Sequence, residues 1–257
     1  MKKFDFNCHR YFIYLLIFYL IMAIPFLGEI HLFDWDEINF AEAAREMVVA
    51  GDWFNVQINF EPFWEKPPLF IWIQALFMTI FGVNEFAARL PNVIIGLLTL
   101  FAIYRNVNKR YGENASLCSV LLYIGSFTPH FYFKTGIIDP LFNLFIFLSL
   151  VNLISGIETK KIAPFFFSGL TLGLAVITKG PVAILLVGLT GLTYQLTYKN
   201  NFYSLLNTLE SQSEHGINNF IFSSSATVYG TPNTLPITED NETQRPFSPY
   251  GNTKKIA

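Results

Sequence analysis

Charged residues and cysteines are scarce in this chain of 257 residues. Asp, Glu, Lys and Arg make up 14% of it, whereas a typical soluble domain contains about 25%. Cys8 and Cys118 have no Cys or His neighbours at metal-ligand spacing, so they predict two unpaired thiols and argue against a metal site or a disulfide framework. The net charge of −2, with no strongly basic segment, excludes nucleic acid as an expected partner.

Long hydrophobic runs take the place of the missing charge. Hydrophobic residues make up 52% of the chain and are concentrated before residue 200. Because about 17–25 mainly apolar residues cross a bilayer, we predict a mainly α, polytopic membrane fold of about six spans. The first is predicted to remain as a signal anchor, since no small-residue cleavage site follows it. The predicted spans are residues 11–28, 86–104, 116–133, 138–155, 163–179 and 181–198.

The basic residues predict the orientation of these spans, because cytoplasmic loops collect Lys and Arg. The apolar stretch Leu69–Phe81 is short for a span. If it spanned, the Arg105–Arg110 cluster and Lys160–Lys161 would both fall outside the cell. We therefore predict that it lies at the interface, that both termini are cytoplasmic, and that residues 29–85 form an outer loop.

The outer loop contains a second helical signal. Residues Glu37–Ala50 read EINFAEAAREMVVA, with Phe40, Ala44 and Met47 at helical spacing. This pattern predicts an interfacial helix that ends at Gly51. All four tryptophans fall in or beside the loop, where an interfacial aromatic belt would place them.

Ionisable residues from four separated segments fall on the predicted outer face. A charge in or near hydrocarbon costs about 2.5–3.5 kcal/mol, so such residues are candidates for function. The alternatives are local. Asp139 and Lys179 could be turn residues, and Glu65 and Lys66 a surface ion pair. Asp34 could be an ordinary solvated loop acid, and Asp34, Asp36 and Glu37 could together hold a metal. We favour a shared site and predict no metal, because the acids are equally well explained as bases for an acceptor.

The chemistry that such a set suits is glycosyl transfer from a phospholipid donor. A carboxylate can take the proton of an acceptor hydroxyl. A lysine can offset the negative charge that develops on the departing lipid phosphate.

Several short motifs occur together and in order. They are the DE pair (Asp36–Glu37), AREM, EKPP (Glu65–Pro68), EFAARLP, IIDPLF and ITKGPVA. Jointly they resemble the bacterial GT-C membrane glycosyltransferases related to protein O-mannosyltransferases and to 4-amino-4-deoxy-L-arabinose lipid A transferase. The resemblance covers residues 1–200 and implies a polyprenyl-phosphate sugar donor, a lipid or protein acceptor, the periplasmic face of the bacterial inner membrane, and no cofactor.

The resemblance also implies roles for single residues. It makes Asp36, Glu37, Glu65 and Asp139 catalytic, and it makes Lys66 and Lys179 donor-phosphate ligands. The family normally continues with further spans, so a truncated and inactive transferase is an alternative expectation.

The polar tail, residues 205–257, resembles a different family, UDP-glucose 4-epimerase of the extended short-chain dehydrogenases. The segment SSSATVYG precedes Tyr250-x-x-x-Lys254, a spacing that places both side chains on one helix face. The resemblance assigns Tyr250 as base, Lys254 as its partner and Ser225 as the hydroxyl that bonds the substrate. It also implies NAD, although the chain has no glycine-rich cofactor turn.

We therefore predict a short, incomplete α/β (Rossmann-like) remnant after a join near residues 200–210. Two alternatives to a membrane glycosyltransferase remain open at this point. One is an epimerase-like protein that functions through its tail alone, and the other is a non-catalytic chimeric membrane protein.

Overall fold

Helices dominate the computed structural model, which describes residues 6–33 and 35–199. A two-stranded antiparallel hairpin, in which Gln57 lies opposite Pro62, interrupts them. The elements in order are α1 (Phe6–Ala23), α2 (Asp36–Ala50), β1 (Gln57–Ile58), β2 (Glu61–Pro62), α3 (Leu69–Phe81), α4 (Glu85–Tyr111), α5 (Glu113–Gly125), α6 (Phe127–Phe133), α7 (Asp139–Thr159), α8 (Ile162–Lys179) and α9 (Val182–Lys199).

Helix α2 forms where the sequence predicts it. It ends at Gly51, whose φ of 69° lies in the left-handed region that glycine adopts at little cost. The Gly51 N–H donates to the Met47 carbonyl and so satisfies the last turn. Phe40 is fully buried and meets the Phe70 ring edge-to-face, with centroids 6.2 Å apart. Burying such a side chain stabilises the contact between α2 and α3 by about 1.5–3 kcal/mol.

The predicted span at 116–133 is two helices in the structure, not one. Helix α5 ends at Gly125, Ser126 is extended, and α6 begins at Phe127. Pro129 explains the break. In a continuous helix its N–H would bond to the Gly125 carbonyl, but proline has no N–H and its ring would collide with that carbonyl. In α6 the same proline sits in the first turn, where the N–H has no helical partner anyway.

Three helices in the described part of the chain are long and apolar enough to cross a membrane, judged by length and composition. They are α4, α7 and α8. Shorter apolar helices occur at Arg10–Ala23, Leu69–Phe81 and Val182–Leu196. The count of six spans, the interfacial position of Leu69–Phe81 and the orientation of the termini stay predictions.

Helices α1, α4, α5 and α6 share an aromatic core. The Phe12 and Tyr104 rings stack with centroids 4.0 Å apart. The Tyr19 hydroxyl donates to the Val93 carbonyl, 3.1 Å away. Gly96 makes this approach possible, because a Cβ there would collide with the Tyr19 ring. Close helix contacts at small residues are typical of helices packed in membranes.

Helices α7 and α8 are joined by a reciprocal pair of serines. The Ser149 hydroxyl lies 3.0 Å from the Ser168 carbonyl, and the Ser168 hydroxyl lies 2.9 Å from the Ser149 carbonyl. Both side chains are buried. Such hydrogen bonds between helices contribute roughly 0.6 kcal/mol each in a membrane protein.

The chain divides into two units, residues 1–191 and 192–257. Of the second unit, only the end of α9 is described. The predicted α/β remnant therefore lies outside the described residues, together with Ser225, Tyr250 and Lys254.

Candidate functional site

Two adjacent acids open helix α2, and the fold treats them differently. Asp36 is exposed, and its side chain makes no hydrogen bond or ion pair within residues 6–33 and 35–199. Glu37 is only 1% exposed. Both lie in the first helical turn, where unpaired backbone N–H groups favour negative charge. Asp36 is therefore the acid of the pair that a substrate can reach.

The chain enters α2 through a strained residue. Trp35 has φ 68° and ψ −113°, although its side chain is 83% exposed and gains little from packing. A backbone conformation of this kind costs about 1–3 kcal/mol and persists only where surrounding contacts hold it. Those contacts lie on the neighbouring Glu37.

Both Glu37 carboxylate oxygens are occupied. Oε1 accepts from Arg89 Nε at 2.8 Å and from the Gly136 N–H at 2.5 Å. Oε2 accepts from a terminal nitrogen of Arg89 at 3.0 Å and from the Phe33 N–H at 2.7 Å. As folded, this carboxylate presents no free oxygen to a substrate, so its predicted catalytic role would require these bonds to break.

Arg89 uses all five of its N–H groups. Two bond to Glu37, and the other three donate to the carbonyls of Leu27, Ile30 and His31 at 3.0, 2.7 and 3.1 Å. The guanidinium is 3% exposed. One buried arginine on α4 therefore fixes the segment that follows α1 and the first turn of α2 together.

The turn between α6 and α7 is held by polar side chains from three helices. Glu37 of α2 accepts from the Gly136 N–H, and Gln74 Nε2 of α3 lies 3.3 Å from the Gly136 carbonyl. Asn92 Nδ2 of α4 donates to the carbonyls of Thr135 and Ile137, at 2.6 and 2.8 Å. This turn leads directly into Asp139, the first residue of α7.

Asp139 and Lys179 form an ion pair, with 2.5 Å between Nζ and Oδ1. Asp139 begins α7 and Lys179 ends α8, so each charge is also stabilised by the dipole of its own helix. The side chains are 24% and 33% exposed, which leaves both open to a ligand. The Lys179 amine also lies 5.7 Å from the centre of the Phe142 ring.

Glu65 and Lys66 lie in the segment between β2 and α3. Glu65 is exposed and Lys66 is half-buried. Neither side chain makes a hydrogen bond or ion pair with another described residue, so the alternative of a local surface ion pair is not what the structure shows. The structure thus joins Asp139 with Lys179, encloses Glu37, and leaves Asp36, Glu65 and Lys66 uncommitted.

Sequence reasoning missed three residues of this region: Arg89, Gln74 and Asn92. A signal was present for each. Gln74 is the one polar side chain in the first ten residues of α3, LFIWIQALFM, and Arg89 and Asn92 are three residues apart on one face of α4. A polar residue in an apolar helix needs a partner, and that requirement could have flagged all three.

No group of three or more His, Cys, Asp or Glu that could hold a metal ion occurs among residues 6–33 and 35–199.

Residues 65–207, more than half of the chain, match the family model for dolichyl-phosphate-mannose-protein mannosyltransferase. The chain belongs to this family. The curated relatives of this family member include undecaprenyl phosphate-alpha-4-amino-4-deoxy-L-arabinose arabinosyl transferases. The enzyme of Photorhabdus laumondii subsp. laumondii is 28% identical over 178 residues, which are 67% of this chain and 32% of that enzyme. An enzyme of Proteus mirabilis is 27% identical over 194 residues, 74% of this chain and 35% of that enzyme.

Solved structures show the same fold. The crystal structure of ArnT from Cupriavidus metallidurans bound to undecaprenyl phosphate has a TM-score of 0.68 at 24% identity, covering 74% of this chain and 36% of ArnT. The apo structure of ArnT gives 0.62 at 20% identity, covering 87% and 47%. The chain thus spans about a third of the length of the curated relatives it matches. Family and fold together confirm the predicted resemblance to GT-C glycosyltransferases.

The tail matches a different family model. Residues 193–257 match GDP-mannose 4,6 dehydratase. The predicted resemblance of this segment to UDP-glucose 4-epimerase, and the roles of Ser225, Tyr250 and Lys254, stay predictions because these residues lie outside the described part of the chain.

Proposed function

We propose that this chain carries the acceptor-activating site of a membrane glycosyltransferase. The donor is a polyprenyl-phosphate sugar, the acceptor is a lipid or protein hydroxyl, and the reaction takes place on the periplasmic face of the bacterial inner membrane. Membership of the mannosyltransferase family supports the reaction class. The relatives named for undecaprenyl-phosphate-linked arabinose, and the likeness to ArnT bound to undecaprenyl phosphate, support the donor class.

The observation that carries the proposal is the unequal treatment of Asp36 and Glu37. The fold encloses the Glu37 carboxylate in four hydrogen bonds, two from Arg89 and two from the backbone N–H groups of Phe33 and Gly136, and it leaves Asp36 exposed without a partner in the described chain. A fixed backbone therefore presents Asp36 at one place on the outer loop. A general base needs this arrangement, because it must reach the acceptor proton in a defined geometry.

In the proposed reaction the acceptor hydroxyl oxygen forms a bond to the anomeric carbon of the donor sugar. The bond between that carbon and the phosphate oxygen breaks, and its electron pair leaves with the polyprenyl phosphate. The hydroxyl proton passes to the Asp36 carboxylate. Glu65, which is exposed and uncommitted, is assigned to acceptor binding.

The lysines are assigned to the departing phosphate. Lys66 has no ion-pair partner among the described residues, so its charge is available to an incoming anion. Lys179 is held by Asp139, which keeps the amine at the end of α8 beside the start of α7. Preorganised positive charge of this kind stabilises the negative charge that develops on the leaving group.

The test is transfer of sugar from a polyprenyl-phosphate donor in membranes that contain the full chain. Asp36→Asn keeps the size of the side chain but removes the base, and we expect turnover to fall about 10²–10⁴-fold. Lys66→Met is expected to reduce turnover while leaving the chain folded.

A matched control comes from the same loop. Asp52 is also an exposed loop aspartate, but its carboxylate accepts from the backbone N–H groups of Phe54 and Asn55 in a local turn. Asp52→Asn is expected to retain turnover. Equal losses in Asp36→Asn and Asp52→Asn would contradict the proposal, and so would the absence of turnover in the unmodified chain.

A second candidate function rests on the tail alone. The match of residues 193–257 to GDP-mannose 4,6 dehydratase favours sugar-nucleotide chemistry with NAD, through Ser225, Tyr250 and Lys254. Titration of the full chain with NAD, followed by the change in nicotinamide or protein fluorescence, tests it. Saturable binding that Lys254→Met weakens would support this candidate, and an unchanged signal up to millimolar NAD would eliminate it.

A further inference from the structure

The turn at residues 135–137 is bound on three sides by buried side chains that take no part in the proposed reaction. Glu37, Gln74 and Asn92 are at most 1% exposed, and they come from α2, α3 and α4. Together they contact backbone atoms of three consecutive residues of the turn. We call these three side chains the cradle.

The orientation of the two cradle amides is fixed by what they contact. Gln74 donates to the carbonyls of Ala88 and Gly136, and Asn92 donates to two carbonyls of the turn. Flipping either amide would place its oxygen against carbonyl oxygens. In this orientation Gln74 Oε1 and Asn92 Oδ1 are buried without a hydrogen-bond partner among the described residues.

These unpaired oxygens indicate whether Gln74 and Asn92 serve to fill space in the core or to position the turn. A buried oxygen without a partner is destabilising, so packing alone would favour Leu or Met at both positions. The amides instead provide donors that reach the turn from two directions. Their benefit is therefore the placement of the turn and not the filling of space.

The turn fits the cradle tightly. A Cβ on Gly136 would lie 3.0 Å from Gln74 Nε2, 3.1 Å from the Ala88 carbonyl oxygen and 3.4 Å from Glu37 Cγ. The first two distances are tighter than nine in ten real Cβ contacts, so an added Cβ would push its neighbours away by a few tenths of an ångström. Glycine at this position lets the backbone approach all three helices closely.

We propose that Glu37, Gln74 and Asn92 are positioning residues that hold Asp139 against Lys179 and fix that ion pair relative to Asp36. Asp139 is the third residue after Gly136 and begins α7, so a displaced turn moves its carboxylate. Glu37 also follows Asp36 directly, so the cradle connects the two acids through one set of bonds. The effect of this placement on catalysis rests on the proposed function, whereas the placement of Asp139 by the cradle does not.

The first measurement is amide hydrogen exchange of the full chain in nanodiscs, read by mass spectrometry on the peptide that contains Gly136. Asn92→Leu keeps a similar volume and removes both donors to the turn. Losing two hydrogen bonds is expected to speed exchange of this peptide about tenfold. Gln74→Met is expected to act in the same direction.

The matched control is Asn106→Leu. Asn106 is also on α4, but its amide donates only to the Ala102 carbonyl of its own helix. Asn106→Leu makes the same type of substitution on the same helix and leaves all contacts of the turn intact. Exchange of the Gly136 peptide is expected to stay at the wild-type rate in Asn106→Leu.

The second measurement reports the position of Asp139 and needs no turnover. A water-soluble N-hydroxysuccinimide ester acylates the Lys179 amine slowly while the Asp139 carboxylate holds that amine. The variant Asp139→Asn lacks the ion pair and so gives the reference rate for acylation of a released Lys179 amine. In Asn92→Leu, Lys179 is expected to be acylated almost as fast as in Asp139→Asn. In Asn106→Leu, it is expected to be acylated at the wild-type rate. In the transfer assay Asn92→Leu is expected to lower kcat about 10²-fold with little change in KM, as a misplacement of about 1 Å does.

The outcomes separate the two proposals. Faster exchange with unchanged Lys179 acylation would overturn the positioning role, and so would unchanged exchange in Asn92→Leu. Faster exchange and acylation in a chain without wild-type turnover would uphold the cradle and overturn the proposed function. Faster exchange and acylation with kcat unchanged would uphold the placement of Asp139 by the cradle and overturn its catalytic consequence.

Discussion

Replacing Arg89 by methionine tests the central contact of the outer loop. The substitution keeps an unbranched side chain in the apolar surroundings and removes five hydrogen bonds at once. Glu37 then remains 1% exposed in the fold, with only the backbone N–H groups of Phe33 and Gly136 to oppose its charge. Removing one partner of a buried ion pair costs about 3–5 kcal/mol, because the other charge stays buried without compensation.

The chain offers a matched control at another Arg–Glu pair. Arg110 donates from both terminal nitrogens to Glu158 at 3.1 Å, and the two side chains are 36% and 34% exposed. Both arginine–glutamate pairs are bidentate, but the Arg89–Glu37 pair is buried and the Arg110–Glu158 pair is partly exposed. Exposed pairs of this kind contribute about 0.2–1 kcal/mol, so Arg110→Met is expected to cost no more than that.

The free energy of unfolding is measured by titrating the chain from mild-detergent micelles with sodium dodecyl sulfate and following tryptophan fluorescence. All four tryptophans lie between Trp35 and Trp72, so the signal reports on the outer loop. We expect Arg89→Met to lose several times more stability than Arg110→Met. We also expect Glu37→Gln, added to Arg89→Met, to restore part of the loss. Equal losses in the two arginine variants would refute the reasoning, since burial is what distinguishes them.

Two further predictions concern the turn and the ion pair that follows it. Gly136→Ala is expected to cost about 1–3 kcal/mol in the same titration because its Cβ has no room, whereas a Cβ at Gly173 of α8 meets no atom within 4 Å. Gly173→Ala should therefore change stability by less than about 0.5 kcal/mol, and an equal effect at both glycines would contradict the prediction. Lys179→Met is expected to cost at most about 1 kcal/mol, because the pair with Asp139 is partly exposed, yet to reduce sugar transfer at least tenfold. Retention of full transfer would remove Lys179 from the site.

Local patterns in the sequence predict the helices well. Predicted Leu69–Phe81 coincides with α3, and predicted Glu37–Ala50 differs from α2 by one residue at the start. Apolar spacing and a terminal glycine are local signals, so they are readable without the fold. Pro129 is also a local signal for a helix break, but residues 116–133 are so continuously apolar that they predict one unbroken span.

The roles of individual acids are not readable in the same way. Asp36 and Glu37 are neighbours of the same charge, and the family resemblance assigns both to catalysis. Their difference arises from Arg89, which is 52 residues beyond Glu37, and from Gly136, which is 99 residues beyond it. Burial by distant segments depends on the tertiary fold, so only the three-dimensional structure distinguishes an enclosed carboxylate from one that a substrate can reach.

The end of α1 depends on residues that are synthesised much later. The carbonyls of Met22 and Pro25 accept from the Lys134 amine, and that of Leu27 accepts from Arg89, which lies 62 residues further along the chain. Until those cations are in place, these carbonyls, one at the end of α1 and two just after it, lack the donors that the fold provides. The segment that follows α1 therefore reaches its final set of hydrogen bonds only after α4 and Lys134 have been synthesised, and a chain stalled before α4 would lack all of them.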